Sequence, residues 1–181
     1  MMQTEFGEIE SEYDESDDRT EQEQDDHFED TYQLKPNEHY EVNGYSYDTD
    51  RYGRIKECSG SLHLGTDKRH QTHQAKAGGE DRRETDEGGH LIAYRFEGSG
   101  KVDNIVAMDA HFNKSEYKQL ENKWNDALKP PRSASVDVDI RCRYPSGSQR
   151  PSEFIVRYTI TEQDGSEINQ VCRFKNEAKQ E

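Results

Sequence analysis

Four side chains between residues 85 and 121 are of types that can do chemistry. His90 follows a double glycine, Gly88-Gly89, then come Asn104 and Asn113, and Glu121 stands in an amphipathic segment. A neutral imidazole can take a proton from water near pH 7, because its ordinary pKa is about 6.5. An amide oxygen and a carboxylate are hard donors of the kind Mg²⁺ prefers. Together they are the parts needed to hydrolyse a phosphodiester around one hard cation. Each also has an ordinary reading by itself. A helical glutamate at the edge of an apolar stripe usually reaches water. A histidine beside glycines is more often structural, and Asn113 fits a helix N-cap. The argument rests on order and spacing, not on any one residue.

The elements that must position these groups can be read from periodicity. Residues 90–94 (HLIAY) read as a short strand that the glycines at 98 and 100 break, and 104–109 (NIVAMD) as a second. Asn113 is then placed to cap a helix over 114–128, where Tyr117, Leu120, Trp124, Ala127 and Leu128 recur at spacings of three and four. Glu121 falls beside that stripe, and Pro130-Pro131 ends the helix. Upstream, turn signals around Asn43-Gly44 and Asp50 to Gly53 predict short antiparallel strands over 44–48 and 54–64. Downstream, Val136, Val138, Ile140, Cys142 and Tyr144 share one strand face, and Phe154, Val156, Tyr158 and Ile160 share another. Asp164-Gly165 marks a turn, with a return strand near 171–174. The expected fold class is α+β, an antiparallel sheet with one main helix.

Charge divides the chain. Its 181 residues carry −15, yet residues 1–30 hold fourteen acids against the single base Arg19, which leaves −2 for the remainder. Residues 1–36 therefore read as a disordered acidic tail or linker, 37–175 as the folded domain and 176–181 as a polar C-terminal tail. Acidic charge of this density can also mimic nucleic acid in a basic groove. No apolar run approaches the roughly 20 residues of a membrane-spanning helix, and no signal peptide is visible. Cys58, Cys142 and Cys172 are too scattered for a disulfide framework or a zinc site, and Cys142 fits a buried strand position. His70-x-x-His73 lacks the further ligands of a closed zinc site and reads as part of a polar, basic loop.

Taken together, NGYSYDTDRYGR at 43–54, EGGHLIA at 87–93, DNIVAMD at 103–109, FNKSEYKQLENKW at 112–124 and QRPSEFIVRYTI at 149–160 resemble the DNA/RNA non-specific endonuclease family of the ββα-metal superfamily. The similarity is to the branch found as C-terminal toxin domains of secreted bacterial polymorphic toxins, and it spans roughly residues 40–175. It implies a ββα-metal core within the α+β fold and an Mg²⁺-dependent endonuclease over 37–175, with Mn²⁺ as another cation it could use. Position by position, it implies His90 as general base and Asn113 as metal ligand. It implies Glu121 as the carboxylate that holds metal-bound water, and Asn104 as a catalytic residue near the scissile phosphate. Two departures stand out. The best-known branch has Asp-Arg-Gly-His where this chain has Glu87-Gly88-Gly89-His90, so phosphate binding falls to Arg82, Arg83 or Arg95. Ala107 stands where the branch usually has proline.

The resemblance further implies DNA and RNA as substrates, a cognate immunity protein as partner and no membrane partner. It implies a secreted effector without a classical signal peptide that acts in a target cell; outside that setting the chain would be cytoplasmic. A glycine pair before the base would let the backbone approach the phosphate. Contacts to backbone rather than base edges predict little sequence preference. The net charge of −2 outside the tail is low for a nucleic-acid binder, but 65–101 is locally basic. Two readings compete: a catalytically inactive nuclease-like binding protein whose acidic tail is its working part, and a zinc module. The presence of His90, Asn113 and Glu121 together disfavours the first, and the unclustered Cys and His disfavour the second.

Overall fold

The computed structural model describes residues 26–65 and 77–179. The acidic stretch 1–25 and His70-x-x-His73 lie outside the described residues. Among the described residues ten strands occur in chain order: β1 Phe28–Asp30, β2 Gln33–Leu34, β3 His39–Val42, β4 Tyr45–Thr49, β5 Ile55–Ser61, β6 Asp86–His90, β7 Ile105–Asp109, β8 Ser135–Arg143, β9 Glu153–Thr161 and β10 Glu167–Lys175. A helix, α1, passes through Ala110–Phe112, a wider π turn at Asn113–Tyr117, and Lys118–Leu128. The class is α+β, as the sequence predicts.

Six strands form one antiparallel sheet in the order β10-β9-β8-β5-β4-β3, and β6 and β7 form a separate two-stranded ribbon. The β3–β4 hairpin turns at Asn43 (φ 54) and Gly44 (φ 86). Positive φ at both turn positions is the twist that two-residue hairpins favour, which explains the Asn-Gly pair. The alternation read in β8 and β9 puts Val136, Val138, Ile140 and Cys142 with Phe154, Val156, Tyr158 and Ile160 into the core. The apolar stripe of α1 lies on that layer. Trp124 meets Tyr158 edge-on at 5.6 Å, and Phe112 stacks on Phe154 at 5.8 Å. Cys58 and Cys142 are buried thiols without disulfides, Cys142 at the buried strand position expected of it, and burial pushes the Cys142 thiol up to about 12.

The structure corrects three boundaries. The strand expected at 90–94 ends at His90, and Tyr94–Phe96 form a 3-10 turn. The helix begins four residues before its expected start, at Ala110, and its cap is Asp109, whose carboxylate accepts the Phe112 N–H at 2.9 Å. Asn113 is therefore not the N-cap; it lies inside the helix. The tail expected through residue 36 also contains ordered parts. His27 is 4% exposed and bonded to Asp103 at 3.0 Å, and its ring stacks on Tyr40 at 3.8 Å. Bulk acidity concealed one histidine with a buried carboxylate partner far away in sequence.

Candidate functional site

The end of β6, the segment after it and α1 meet at a cleft of about 280 Å³ lined by His90, Ala93, Tyr94, Asn113, Lys114, Lys118 and Glu121. His90 is the last residue of β6, paired with Ile105 of β7. The wide π turn carries Asn113 and Lys114, and the following α-helical turn carries Lys118 and Glu121. Glu121 follows Tyr117 by one helical turn, and the Tyr117 hydroxyl, donating to the Leu91 carbonyl, pins the helix against the chain just after His90. Three of the four residues singled out in the sequence therefore share one surface.

Burial tunes both titratable members. Removal from water lowers the His90 pKa, so the imidazole is neutral at pH 7. Its Nε2 is buried and without a hydrogen-bond partner among the described residues. A buried, unpaired imidazole nitrogen is costly unless another group completes it. Glu121 is 7% exposed, and burial raises its carboxyl to about 7 against the opposing pull of Arg95 and Lys118. A carboxylate this poorly solvated accepts a cation readily.

Asn113 is oriented from outside the cleft. Its Nδ2 donates to Glu87 Oε1 at 2.7 Å, while Glu87 Oε2 lies 3.2 Å from Lys114 Nζ. With the amide nitrogen engaged, the amide oxygen is the atom left to ligate. Glu87 thus fixes which end of Asn113 can face a metal. Below it, Asp86 receives a bidentate clasp from Arg150, at 2.7 and 2.9 Å, which fastens β6 to the chain entering β9.

Asn104 is elsewhere. It is fully buried, and its amide is saturated. Its Oδ1 accepts from Tyr47 at 2.8 Å and from the Ile92 N–H at 3.0 Å. Its Nδ2 donates to the carbonyls of Ile92 at 2.8 Å and Ser99 at 2.9 Å. Asn104 thus ties the chain after His90 to the sheet and does not line the cleft. Nor does the double glycine open the backbone to a ligand at Gly89, because a Cβ there would meet the Met108 side chain at 2.7 Å.

Of the arginines proposed for phosphate, Arg82 donates to the Asp86 carbonyl, Arg83 is exposed, and neither lines the cleft. Arg95 donates to Asn122 Oδ1 at 2.7 Å and pulls electrostatically on Glu121 without lining the cleft. The cations on the cleft wall are Lys114 and Lys118, which the sequence reading passed over. Their spacing offered a signal, since residues 114, 118 and 121 share one helical face.

The chain matches the DNA/RNA non-specific endonuclease family over residues 36–162. It is 38% identical over 134 residues to a type VII secretion system protein, EssD, of Staphylococcus aureus strain USA300, and equally to that of strain NCTC 8325 / PS 47. Those alignments take in 70% of this chain but only 22% of either relative's length. Among solved structures, an EndoG/EndoGI complex, described as showing the mechanism of EndoG inhibition, matches at TM-score 0.56 and 15% identity, over 76% of this chain and 74% of that one. The Sda1 nuclease with a bound zinc ion matches at TM-score 0.50 and 14% identity, over 72% of this chain and 75% of that one. Both show the likeness of fold.

Proposed function

The chain belongs to the DNA/RNA non-specific endonuclease family, and from that premise we propose that it is an Mg²⁺-dependent nuclease that hydrolyses phosphodiester bonds in DNA and RNA. One observation carries the reading: His90, Asn113 and Glu121 line one cleft, and the buried Nε2 of His90 has no partner among the described residues.

The donor set fits a hard cation. The Asn113 amide oxygen and the Glu121 carboxylate are oxygen donors, and among the described residues no group of three or more His, Cys, Asp or Glu side chains gathers as a closed zinc site would require. Mn²⁺ has the same preference for oxygen. When bound, the cation would supply charge stabilisation at the phosphate and the leaving oxygen. Asn113 would ligate it through the oxygen that Glu87 leaves free. Glu121 would hold its water shell.

His90, neutral because it is buried, takes a proton from the attacking water. Lys114 and Lys118 draw the phosphate into the cleft. These contacts address the backbone of a nucleic acid and leave its base edges unread, so cleavage is without strong sequence preference.

The likeness to part of a type VII secretion system protein supports a further reading, that the domain is a secreted bacterial effector with a toxic nuclease. A producing cell then needs a neutralising partner protein, a role akin to that of the inhibitor in the EndoG/EndoGI complex. Among the described residues no helix is long and apolar enough to cross a membrane.

The test is digestion of plasmid DNA and of RNA by the purified chain, with Mg²⁺ or with EDTA, beside His90→Ala. Cleavage should require the metal and fall by about 10²–10⁴-fold in the variant at an unchanged melting temperature. A variant that cleaves as well as the parent removes His90 as the base. Absence of cleavage in the parent with either substrate overturns the nuclease reading.

A further inference from the structure

β10 is the outermost strand of the six-stranded sheet, and among the described residues only β9 pairs with it. It is nine residues long, keeps register with β9 without a bulge, and contains no proline. Natural edge strands are commonly shortened, bulged or interrupted by proline so that they do not recruit another strand. Ile168 and Val171 on this one are 43% and 52% exposed. It also lies past residue 162, where the family match ends, so the catalytic reading makes no use of it.

The hairpin before β10 fixes which backbone groups face outward. Glu162 N–H donates to the Ser166 carbonyl at 2.8 Å, which makes 162 and 166 a hydrogen-bonded pair. Antiparallel ladders alternate, so residues 168, 170, 172 and 174 bond to β9. Glu167, Asn169, Val171, Arg173 and Lys175 turn their N–H and C=O groups to the open edge. Side chains alternate as well. Cys172 and Phe174 lean on the core, and the odd-numbered side chains lie on the other face.

We propose that this edge pairs antiparallel with β10 of a second copy of the chain, about a two-fold axis through Val171, joining the two sheets into one. In that register every outward-facing residue meets a complement: Val171 meets Val171, Asn169 meets Arg173, and Glu167 meets Lys175. On the core side Ile168 meets Phe174 and Gln170 meets Cys172. Symmetry repeats each unlike pair. Opposite charges and aromatic–aliphatic pairs placed directly across strands are stabilising. Moving the axis by one residue in either direction leaves two residues of each strand unpaired, and only the Val171 register engages all nine. The strand is thus self-complementary in length, charge and apolar pattern.

Sedimentation of the full chain across a concentration series tests this. The parent should dimerise. Val171→Pro removes an outward N–H and leaves the ladder to β9 whole, a place where an edge strand accepts proline. It should weaken the dimer by at least about tenfold. Glu167→Lys sets lysine against Lys175 twice and should weaken it by about tenfold at low salt, and Glu167→Lys with Lys175→Glu should restore it. If Val171→Pro fails to fold, the charge variants decide. A parent that stays monomeric up to about 0.1 mM overturns the proposal and leaves the edge to a strand from another protein. A dimer indifferent to these variants, or a double reversal without rescue, overturns it equally.

Discussion

Glu121→Gln should make the protein more stable while impairing its chemistry, and the gain should depend on pH in one direction. Folding raises the Glu121 carboxyl from an ordinary 4.5 to about 7, chiefly by burial. A group whose pKa rises on folding holds its proton more tightly folded than unfolded. Its favourable contribution is therefore full below about 4.5 and declines as pH rises, until it is gone above about 7. Each pH unit between the two values is worth about 1.4 kcal/mol, which gives about 3 kcal/mol of lost stability at pH 8. Glutamine copies the protonated shape and does not titrate. In EDTA, urea unfolding should find parent and variant nearly equal at pH 4.5 and the variant ahead by about 3 kcal/mol at pH 8. That is roughly 6–12 °C in melting temperature for a domain of this size. Adding Mg²⁺ should narrow the gap at pH 8, because a cation bound to the native state favours the parent's carboxylate. A gap that stays constant from pH 4.5 to 8 would refute the claim that burial governs this group.

Glu87→Ala should free the Asn113 amide to rotate and lower metal affinity or rate by about 10–100-fold, read from Mg²⁺ titration of cleavage; an unchanged titration would show that the 2.7 Å bond has no orienting role. Asn104→Ala should cost about 3 kcal/mol or more in urea unfolding, because it strands buried backbone groups, yet folded molecules should cleave at a near-normal rate. A selective loss of rate would instead return Asn104 to the phosphate. Lys118→Ala should raise KM more than it lowers kcat and flatten the salt dependence of cleavage, and an unaltered salt dependence would exclude a phosphate contact there.

Local patterns made much of this legible in the sequence. Strict alternation set out β8 and β9, and the three-and-four spacing of Tyr117, Leu120 and Trp124 placed Glu121 on the buried side of α1. The parts that escaped depend on partners distant in the chain. Asn104 has the residue type of a catalytic amide, and only Tyr47 and the Ile92 and Ser99 backbone reveal it as a tie. Asp109 outcompeted Asn113 as cap because its carboxylate reaches the Phe112 N–H from the end of β7. β10 looked short because only Val171 to Phe174 carried an apolar signal, whereas pairing with β9 extends it through polar positions. The orienting role of Glu87 had no periodicity to announce it.

Asn176 was grouped with the polar C-terminal tail on composition, yet it is 2% exposed and acts as a keystone. Its side chain receives the Asp109 N–H at 2.8 Å and donates to the carbonyls of Ala107 at 2.9 Å and Pro151 at 2.7 Å. Its own carbonyl takes a bond from Arg150, the residue that clasps Asp86. The ribbon carrying His90 is thus locked by a residue 14 positions beyond the family-matched span ending at 162. During synthesis, the strand leading into α1 and the strand bearing His90 leave the ribosome long before this lock does. A chain interrupted short of residue 176 would carry His90, Asn113 and Glu121 yet lack these hydrogen bonds that hold the ribbon in place.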